Sequence, residues 1–249
     1  MVDALDIRPG DRILDSACGP GLWARMFAEK VLPTGKVVGL DLSADLLGYA
    51  RTSLVGDALS DVIDLVQGDF HDPPFPHDDF DAVFLGNCLS YLSEADAQHV
   101  LRRHKDLVQP GGRVISKEFD GATVIFYPIP PALNLKVAAS VARALEETPP
   151  IPFFDNFIGR KTYGMFRKAG FSNITTRSYA IQKVAPLTPP AKRYITGNAT
   201  WYGQRAARFL TPDERTAWER AFDPRCKDYI LDRDDFYFCM VETITIGTV

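Results

Sequence analysis

Residues 11–24, DRILDSACGPGLWA, have the pattern of a buried strand, a glycine turn and the start of a helix. The apolar strand ends near Asp15, and Gly19, Pro20 and Gly21 form the turn. Glycine at such a turn lets backbone N–H groups approach a ligand closely. This segment therefore favours an α/β fold in which a ligand lies near the turn.

Four more short apolar segments follow in the first half of the chain and alternate with helical patterns. We predict strands over 12–17, 36–42, 62–70, 80–87 and 113–119. The helix that begins at 93–96 is expected to run to about Val108 and to end at Pro110-Gly111-Gly112. Continuous apolar strands joined by helices predict a parallel sheet covered on both faces.

The second half of the chain is less regular and richer in proline and aromatic residues. Helices are predicted over 132–147 and 160–169, two more within 198–222, and strands over 174–184 and 235–249. We interpret residues 1–249 as one domain in which the segments 121–157 and 185–235 are insertions that form a substrate cap.

Composition and charge exclude several functional classes. The net charge is −4 and no basic block is present, which argues against a nucleic-acid partner. The sequence has neither an apolar run long enough to cross a bilayer nor a signal-peptide pattern, so we expect a cytoplasmic protein without a membrane partner. The four cysteines lack metal-ligand spacing, which predicts reduced, mostly buried thiols and no metal site.

Acidic residues at the strand ends discriminate between the ligands that a glycine turn can bind. Asp41 follows the second strand at the spacing of a ribose-binding acid, which also suits a dehydrogenase. Asp15, however, lies inside the turn, where it would repel a pyrophosphate and attract a cationic ligand. Asp69 could accept a hydrogen bond from an adenine amino group, and Phe70 could cover the base. Each acid has a plainer interpretation, because Asp15 and Asp41 could cap helices and Asp69 could stabilise a turn.

Taken together, these segments resemble the class I S-adenosylmethionine-dependent methyltransferases. LDSACGPG is similar to the first motif of that family, with Ala17 in place of the commoner glycine. The segments VVGLDLS, QGDF, FDAVFLGNCLSYL, LVQPGGRVI and FRKAGF are similar to the later motifs, in the same order. The resemblance implies a Rossmann-like, doubly wound sheet of seven strands, mostly parallel, with an antiparallel last strand. It also implies S-adenosylmethionine as cofactor and S-adenosylhomocysteine as product.

The resemblance assigns cofactor contacts along the strand ends. Asp15 and the turn would hold the methionine end, Asp41 would bind the ribose, and Asn87 would lie near the transferable methyl group. The full set of implied cofactor residues is Asp15, Ala17, Cys18, Gly19, Gly21, Asp41, Leu42, Leu46, Gly68, Asp69, Phe70 and Asn87.

Catalytic and substrate residues are predicted from their position rather than from a motif. Methyl transfer from a sulfonium depends mainly on alignment, and a base is needed only where the acceptor keeps its proton. The candidates for that base are Glu118, Asp120, His71 and Tyr91, whereas His99 and His104 are expected to be solvated. The candidates for an aromatic wall around a small, fairly apolar acceptor are Phe126, Tyr127, Phe154, Phe157, Trp201 and Tyr202.

The sequence favours methyl transfer to a small, fairly apolar molecule and leaves two alternatives. The chain could methylate an O, N or C atom of a small molecule, it could be an NAD-dependent dehydrogenase, or it could bind the cofactor without turnover. A homodimer is compatible with the sequence. Members of the family usually carry helices before the first motif, whereas here the first strand begins near residue 11. We therefore expect the insertions, a partner subunit or a chain that extends upstream of Met1 to cover the cofactor.

Overall fold

The computed structural model describes residues 2–150 and 152–249, and within them it contains seven strands and seven α-helices. The strands are β1 (Arg12–Ser16), β2 (Lys36–Asp41), β3 (Ile63–Gln67), β4 (Phe80–Gly86), β5 (Val108–Tyr127), β6 (Ser172–Val184) and β7 (Tyr237–Thr248). The helices are α1 (Leu22–Val31), α2 (Ala44–Leu54), α3 (Glu94–Asp106), α4 (Pro131–Glu147), α5 (Thr162–Lys168), α6 (Pro189–Ala206) and α7 (Pro212–Phe222).

The strands form one seven-stranded sheet in the order β3-β2-β1-β4-β5-β7-β6. Strands β1 to β5 pair in parallel, and β1 lies between β2 and β4. The last strand runs antiparallel, because Val249 at its end exchanges backbone hydrogen bonds with Gly111 and Gly112 near the start of β5. The predicted Rossmann-like fold class is thus confirmed. Parallel strands direct all their carboxyl ends to one edge, where such sheets bind ligands.

The chain divides into two compact units. The first contains Met1–Glu118, Ile158–Ser178 and Thr243–Val249, and the second contains Phe119–Phe157 and Tyr179–Glu242. In the first unit, β1 and β4 are buried almost throughout, as expected of central parallel strands. The second unit has its own aromatic core around Phe126.

The structure corrects two predicted boundaries. Helix α3 ends at Asp106, and β5 already begins at Val108 and runs through the proline and glycines predicted to end the helix. Gly112 allows this path, because a Cβ there would lie 2.7 Å from the Asp81 carbonyl oxygen. Helix α6 begins at Pro189 rather than near 198, since Thr188 accepts a hydrogen bond from the Ala191 N–H and caps it.

His104 was expected to be solvated, and that expectation is wrong. It is fully buried on α3, where its Nδ1 lies 2.8 Å from the Val100 carbonyl oxygen. A carbonyl only accepts, so Nδ1 carries the proton and Nε2 accepts from the Ser16 hydroxyl at 2.8 Å. Burial, with smaller contributions from nearby cationic groups, lowers the pKa of His104 from 6.5 to about 4.

We expect the buried His104 to lower the free energy of unfolding as the pH decreases. The folded pKa lies below the unfolded value, so the neutral imidazole stabilises the fold above pH 6.5, and this contribution is lost towards pH 4. The loss is about 2 kcal/mol by pH 5. Urea unfolding of wild type and His104→Gln should therefore show a difference that narrows by this amount between about pH 7.5 and pH 5. A constant difference would contradict the assignment, and His99→Gln, on the exposed face of α3, serves as the control.

Candidate functional site

The turn between β1 and α1 has three residues in the left-handed backbone region. Ala17 has φ +61°, Gly19 +54° and Gly21 +78°. The Cys18 N–H donates to the Leu40 carbonyl oxygen at 2.9 Å, which fixes the turn against the end of β2. Left-handed backbone suits glycine, whereas for alanine it costs about 1 kcal/mol. The turn is thus strained at Ala17, the position where the resemblance leads one to expect glycine.

Asp41 connects this turn to the start of α2. Its Oδ2 accepts from the Gly19 N–H at 2.7 Å, and its Oδ1 accepts from the Ser43 N–H at 2.8 Å. The carboxylate is partly exposed, and each of its oxygens can accept a second hydrogen bond. Asp41 therefore fixes the backbone of the turn and of Ser43, which is itself the cap of α2, and the same carboxylate retains capacity for ligand hydroxyls.

Asp15 is a buried acid beneath the turn, with 2% of its surface exposed. Its Oδ2 has no hydrogen-bond partner among the described residues. Burial, reinforced by the charge of Asp41, raises the pKa of Asp15 from 3.8 to about 7. A buried oxygen without a donor fits a site where a ligand brings a donor or a positive charge.

One cavity joins the ends of β1, β2 and β4. It has a volume of about 310 Å³ and is lined by Ala17, Asp41, Leu42, Phe70, Gly86, Asn87, Cys88 and Tyr91. Five predicted cofactor residues and one predicted base therefore share a single cavity. Gly21 instead lines a neighbouring cavity of about 300 Å³ between α1 and α2, together with Leu22 and Tyr49. Leu46 is 41% exposed on α2.

The loop after β3 holds Asp69 beside His71. Asp69 Oδ1 accepts from the His71 N–H at 2.8 Å and lies 2.7 Å from His71 Nδ1. These hydrogen bonds, the backbone one first, lower the pKa of Asp69. Gly68 is held close to β2, because a Cβ there would lie 2.9 Å from Leu40 Cδ1. Asp69 therefore stabilises the turn through Oδ1. Its other oxygen, Oδ2, takes part in neither of the two contacts with His71.

The acids of β5 lie deep in the structure. Glu118 is fully buried, and its Oε1 accepts from the Leu89 N–H at 2.9 Å. Asp120 is buried as well, and its Oδ1 accepts from the Ala122 N–H at 3.1 Å. Glu118 thus holds backbone that follows β4 and Asp120 holds backbone within β5, whereas Tyr91 lines the cavity and is 57% exposed.

Two of the six predicted substrate aromatics are core residues of the second unit. Phe126 is 1% exposed, and Trp218 and Phe222 pack edge-on against it. The Tyr202 hydroxyl donates to the Gly121 carbonyl oxygen at 2.7 Å, and burial raises the pKa of Tyr202 to about 12. These contacts argue against a place for either ring in a substrate wall. The four others are exposed at least in part: Tyr127, Phe154, Phe157 and Trp201.

Other features carry less information about function. A second-unit cavity of about 720 Å³ lies along α6 and α7, and Trp218 and Phe222 contribute to its lining. The four cysteines are free, and burial raises the pKa of the Cys18 and Cys88 thiols. Over residues 2–150 and 152–249, no three His, Cys, Asp or Glu side chains come together as metal ligands would.

Comparison with known proteins identifies the proteins to which this chain is similar. A family model described as a methyltransferase domain matches residues 13–112. A demethylmenaquinone methyltransferase of Bacillus cereus is 36% identical over 121 residues, which are 49% of this chain and 50% of the relative. The chain thus spans about half the length of that relative.

Longer matches exist in sequence and in structure. A demethylmenaquinone methyltransferase of Oceanobacillus iheyensis is 31% identical over 187 residues, covering 70% of this chain and 75% of the relative. A Bacillus halodurans protein described as a methyltransferase superposes with a TM-score of 0.62 at 16% identity, over 99% of this chain and 96% of that one. The likeness in structure extends beyond the residues that the family model matches.

We expect Ala17→Gly to stabilise the protein. Glycine relieves the left-handed strain but gains entropy when unfolded, so the net gain should be about 0.5 kcal/mol, or roughly 1–2 °C in melting temperature. Ala142→Gly, inside α4, should instead lose about 1 kcal/mol. Calorimetric melting curves measure both, and destabilisation by Ala17→Gly would show that the methyl group contributes more than the strain costs.

The unfolding free energy of Asp15→Asn should increase relative to that of wild type as the pH rises. Because the folded pKa of about 7 lies above the unfolded 3.8, the protonated carboxyl stabilises the fold at low pH, and this contribution is lost as the pH rises through 7. Between about pH 5 and pH 8, wild type should lose about 2–3 kcal/mol of unfolding free energy relative to the variant. Asp64→Asn on the exposed side of β3 should show no such trend, and a flat difference for Asp15→Asn would contradict a raised pKa.

Proposed function

Because the chain belongs to the class I S-adenosylmethionine-dependent methyltransferases, we propose that it transfers the methyl group of that cofactor to a small, fairly apolar organic molecule. The observation that carries this proposal is the cavity at the carboxyl ends of the strands, which contains Asp41 and Asn87 together with Ala17 of the glycine turn. Its volume of about 310 Å³ suits one nucleoside-sized ligand.

The residues of the cavity fit that cofactor. Asp41 offers carboxylate oxygens for the ribose hydroxyls, while its existing hydrogen bonds keep the turn closed beneath them. Phe70 and Leu42 provide apolar contact on the same cavity, and Asp69 Oδ2 is available for an adenine amino group. Buried Asp15 sits where a positive charge would favour its ionised form.

Alignment is the main task that we assign to the protein. The bound cofactor supplies an electrophilic methyl group on a sulfonium with a good leaving group already attached. The chain must hold the acceptor atom in line with that methyl group and exclude water. Tyr91 is the one predicted base that lines the cavity, so we place it near the acceptor. Glu118 then acts through its hydrogen bond to the Leu89 N–H, which positions the segment leading to Tyr91.

The acceptor is proposed from the second unit and from the relatives. Tyr127, Phe154, Phe157 and Trp201 present ring surface that a small apolar molecule could use, and we assign acceptor selectivity to this unit. Demethylmenaquinone methyltransferases recur among the relatives, so a quinone-derived ring is the first acceptor class to test. No helix of the described residues has the length and hydropathy of a membrane span.

We expect Asp41→Asn to weaken the binding of S-adenosylhomocysteine. Loss of the charge-assisted hydrogen bonds to the ribose should reduce the binding free energy by about 1–3 kcal/mol. Isothermal titration calorimetry measures this directly, with Asp45→Asn, on the exposed first turn of α2, as the control. Equal affinity in wild type and Asp41→Asn would remove Asp41 from the ribose site.

The proposed activity has its own test. Wild-type protein should bind S-adenosylmethionine and not NADH, and it should transfer labelled methyl groups to a member of a panel of quinols and other small phenols. Binding of NADH without S-adenosylmethionine would favour the dehydrogenase instead. Tight binding of S-adenosylmethionine without transfer to any extract of small molecules would favour a protein that binds the cofactor and does not turn it over.

A further inference from the structure

A buried lysine lies beside the cavity, at a position that the sequence motifs do not assign. Lys117 on β5 is 4% exposed, although lysine is almost never fully buried unless its ammonium group has partners. Its Nζ donates to Asn87 Oδ1 at 3.2 Å. The strand register places Lys117 opposite Gly86, the last residue of β4, so the contact is built into the sheet.

Asn87 is fixed by backbone as well as by side-chain contacts. Its N–H donates to the Lys117 carbonyl oxygen at 2.8 Å, and its φ of +55° is a left-handed conformation that asparagine tolerates better than most residues. The Asn87 amide also lines the 310 Å³ cavity with Asp41 and Ala17. Lys117 therefore holds both the main chain and the side chain of a residue at the cofactor cavity.

The chemistry of the ammonium group determines which way the amide faces. An ammonium carries three donors and no acceptor, so the atom of Asn87 that meets it must be the carbonyl oxygen. The amide nitrogen is consequently turned away from Lys117, and Asn87 presents N–H donors to the cavity. Asp41 presents acceptors in the same cavity. A ligand suited to both ends has hydroxyl groups at one end and a carboxylate at the other.

We infer that Lys117 is a positioning residue that orients Asn87 to donate hydrogen bonds to the carboxylate of the cofactor's methionine end. This inference rests on the proposed function, since it assumes that S-adenosylmethionine occupies the cavity. Asn87 lines the same cavity as Asp41, to which we assign the ribose, so we take its amide to face the cofactor. The positive charge of Lys117 polarises the amide and favours an anion on its far side.

The test compares two ligands that differ in one group. Calorimetry should measure the affinity of S-adenosylhomocysteine and of its analogue without the carboxylate, for wild type, Lys117→Met and Asn87→Gly. Glycine keeps the left-handed backbone at position 87 while removing the amide. Each variant should bind S-adenosylhomocysteine about tenfold more weakly, and the analogue with about wild-type affinity. Lys117→Arg should recover part of the loss, and Lys36→Met, at the opposite end of β2, should bind both ligands as wild type does.

The possible outcomes separate the inference from the function beneath it. Failure of the wild type to bind S-adenosylhomocysteine would overturn the proposed function. Equal weakening of both ligands, or no weakening of either, would overturn the role of Lys117 and leave cofactor binding established. Because Lys117→Met removes a buried group, circular dichroism should first establish that it folds. Should it not fold, Lys117→Arg takes its place: it should bind S-adenosylhomocysteine more weakly than wild type and the analogue with about wild-type affinity, and equal effects on the two ligands would overturn the role of Lys117.

Discussion

The carboxylate of Asp41 is the interaction on which the site depends. It bonds the Gly19 N–H of the first turn and the Ser43 N–H at the start of α2, so one side chain closes two strand-to-helix connections. Parallel strands bring their ends together but do not fix the loops above them. A doubly accepting carboxylate does so at low cost, because both donors are backbone groups that would otherwise need water. The same oxygens are the ones that we propose bind the ribose, and under that proposal cofactor binding and turn geometry are coupled through one residue.

Strand β1 contains two buried polar residues, Asp15 and Ser16, although it is a central strand. Neighbouring residues of a strand face opposite sides, so Asp15 and Ser16 point to different faces of the sheet, and Ser16 contacts His104 of α3. Burial raises the pKa of the acid and lowers that of the base, which keeps both groups neutral near pH 6. Burial disfavours the charged form of Asp15 and of His104 in the folded protein. A ligand with a positive charge reverses this balance for Asp15, whereas His104 is sealed from ligands by the helix that carries it.

Features that depend on neighbouring residues could be predicted from the sequence, whereas features that depend on distant contacts could not. Strands β1 to β4 and the acids at their ends were predictable, because apolar runs and turn residues act locally. The early start of β5 was not, since Val108 pairs with Phe80 of β4 and the two glycines bond Val249, and both partners are distant in sequence. His104 could have been placed correctly, because it continues the buried stripe of Ala97, Val100 and Leu101 on α3. Phe126 and Tyr202 were assigned to a substrate wall because aromatic composition does not distinguish a core from a binding surface.

Polar residues inside a strand that is buried on both faces are the pattern that points to Lys117. Ser116, Lys117 and Glu118 interrupt the apolar run of β5, and all three are buried. Buried polar groups destabilise a fold unless they are bonded, so their presence inside a strand requires a compensating role. Lys117 and Glu118 each bond a loop that follows β4, one through Asn87 and the other through Leu89. Strand β5 thus supports one side of the cavity through Asn87 and Leu89, while Asp41 lines another, and under our proposal the cofactor lies between acceptors at Asp41 and donors at Asn87.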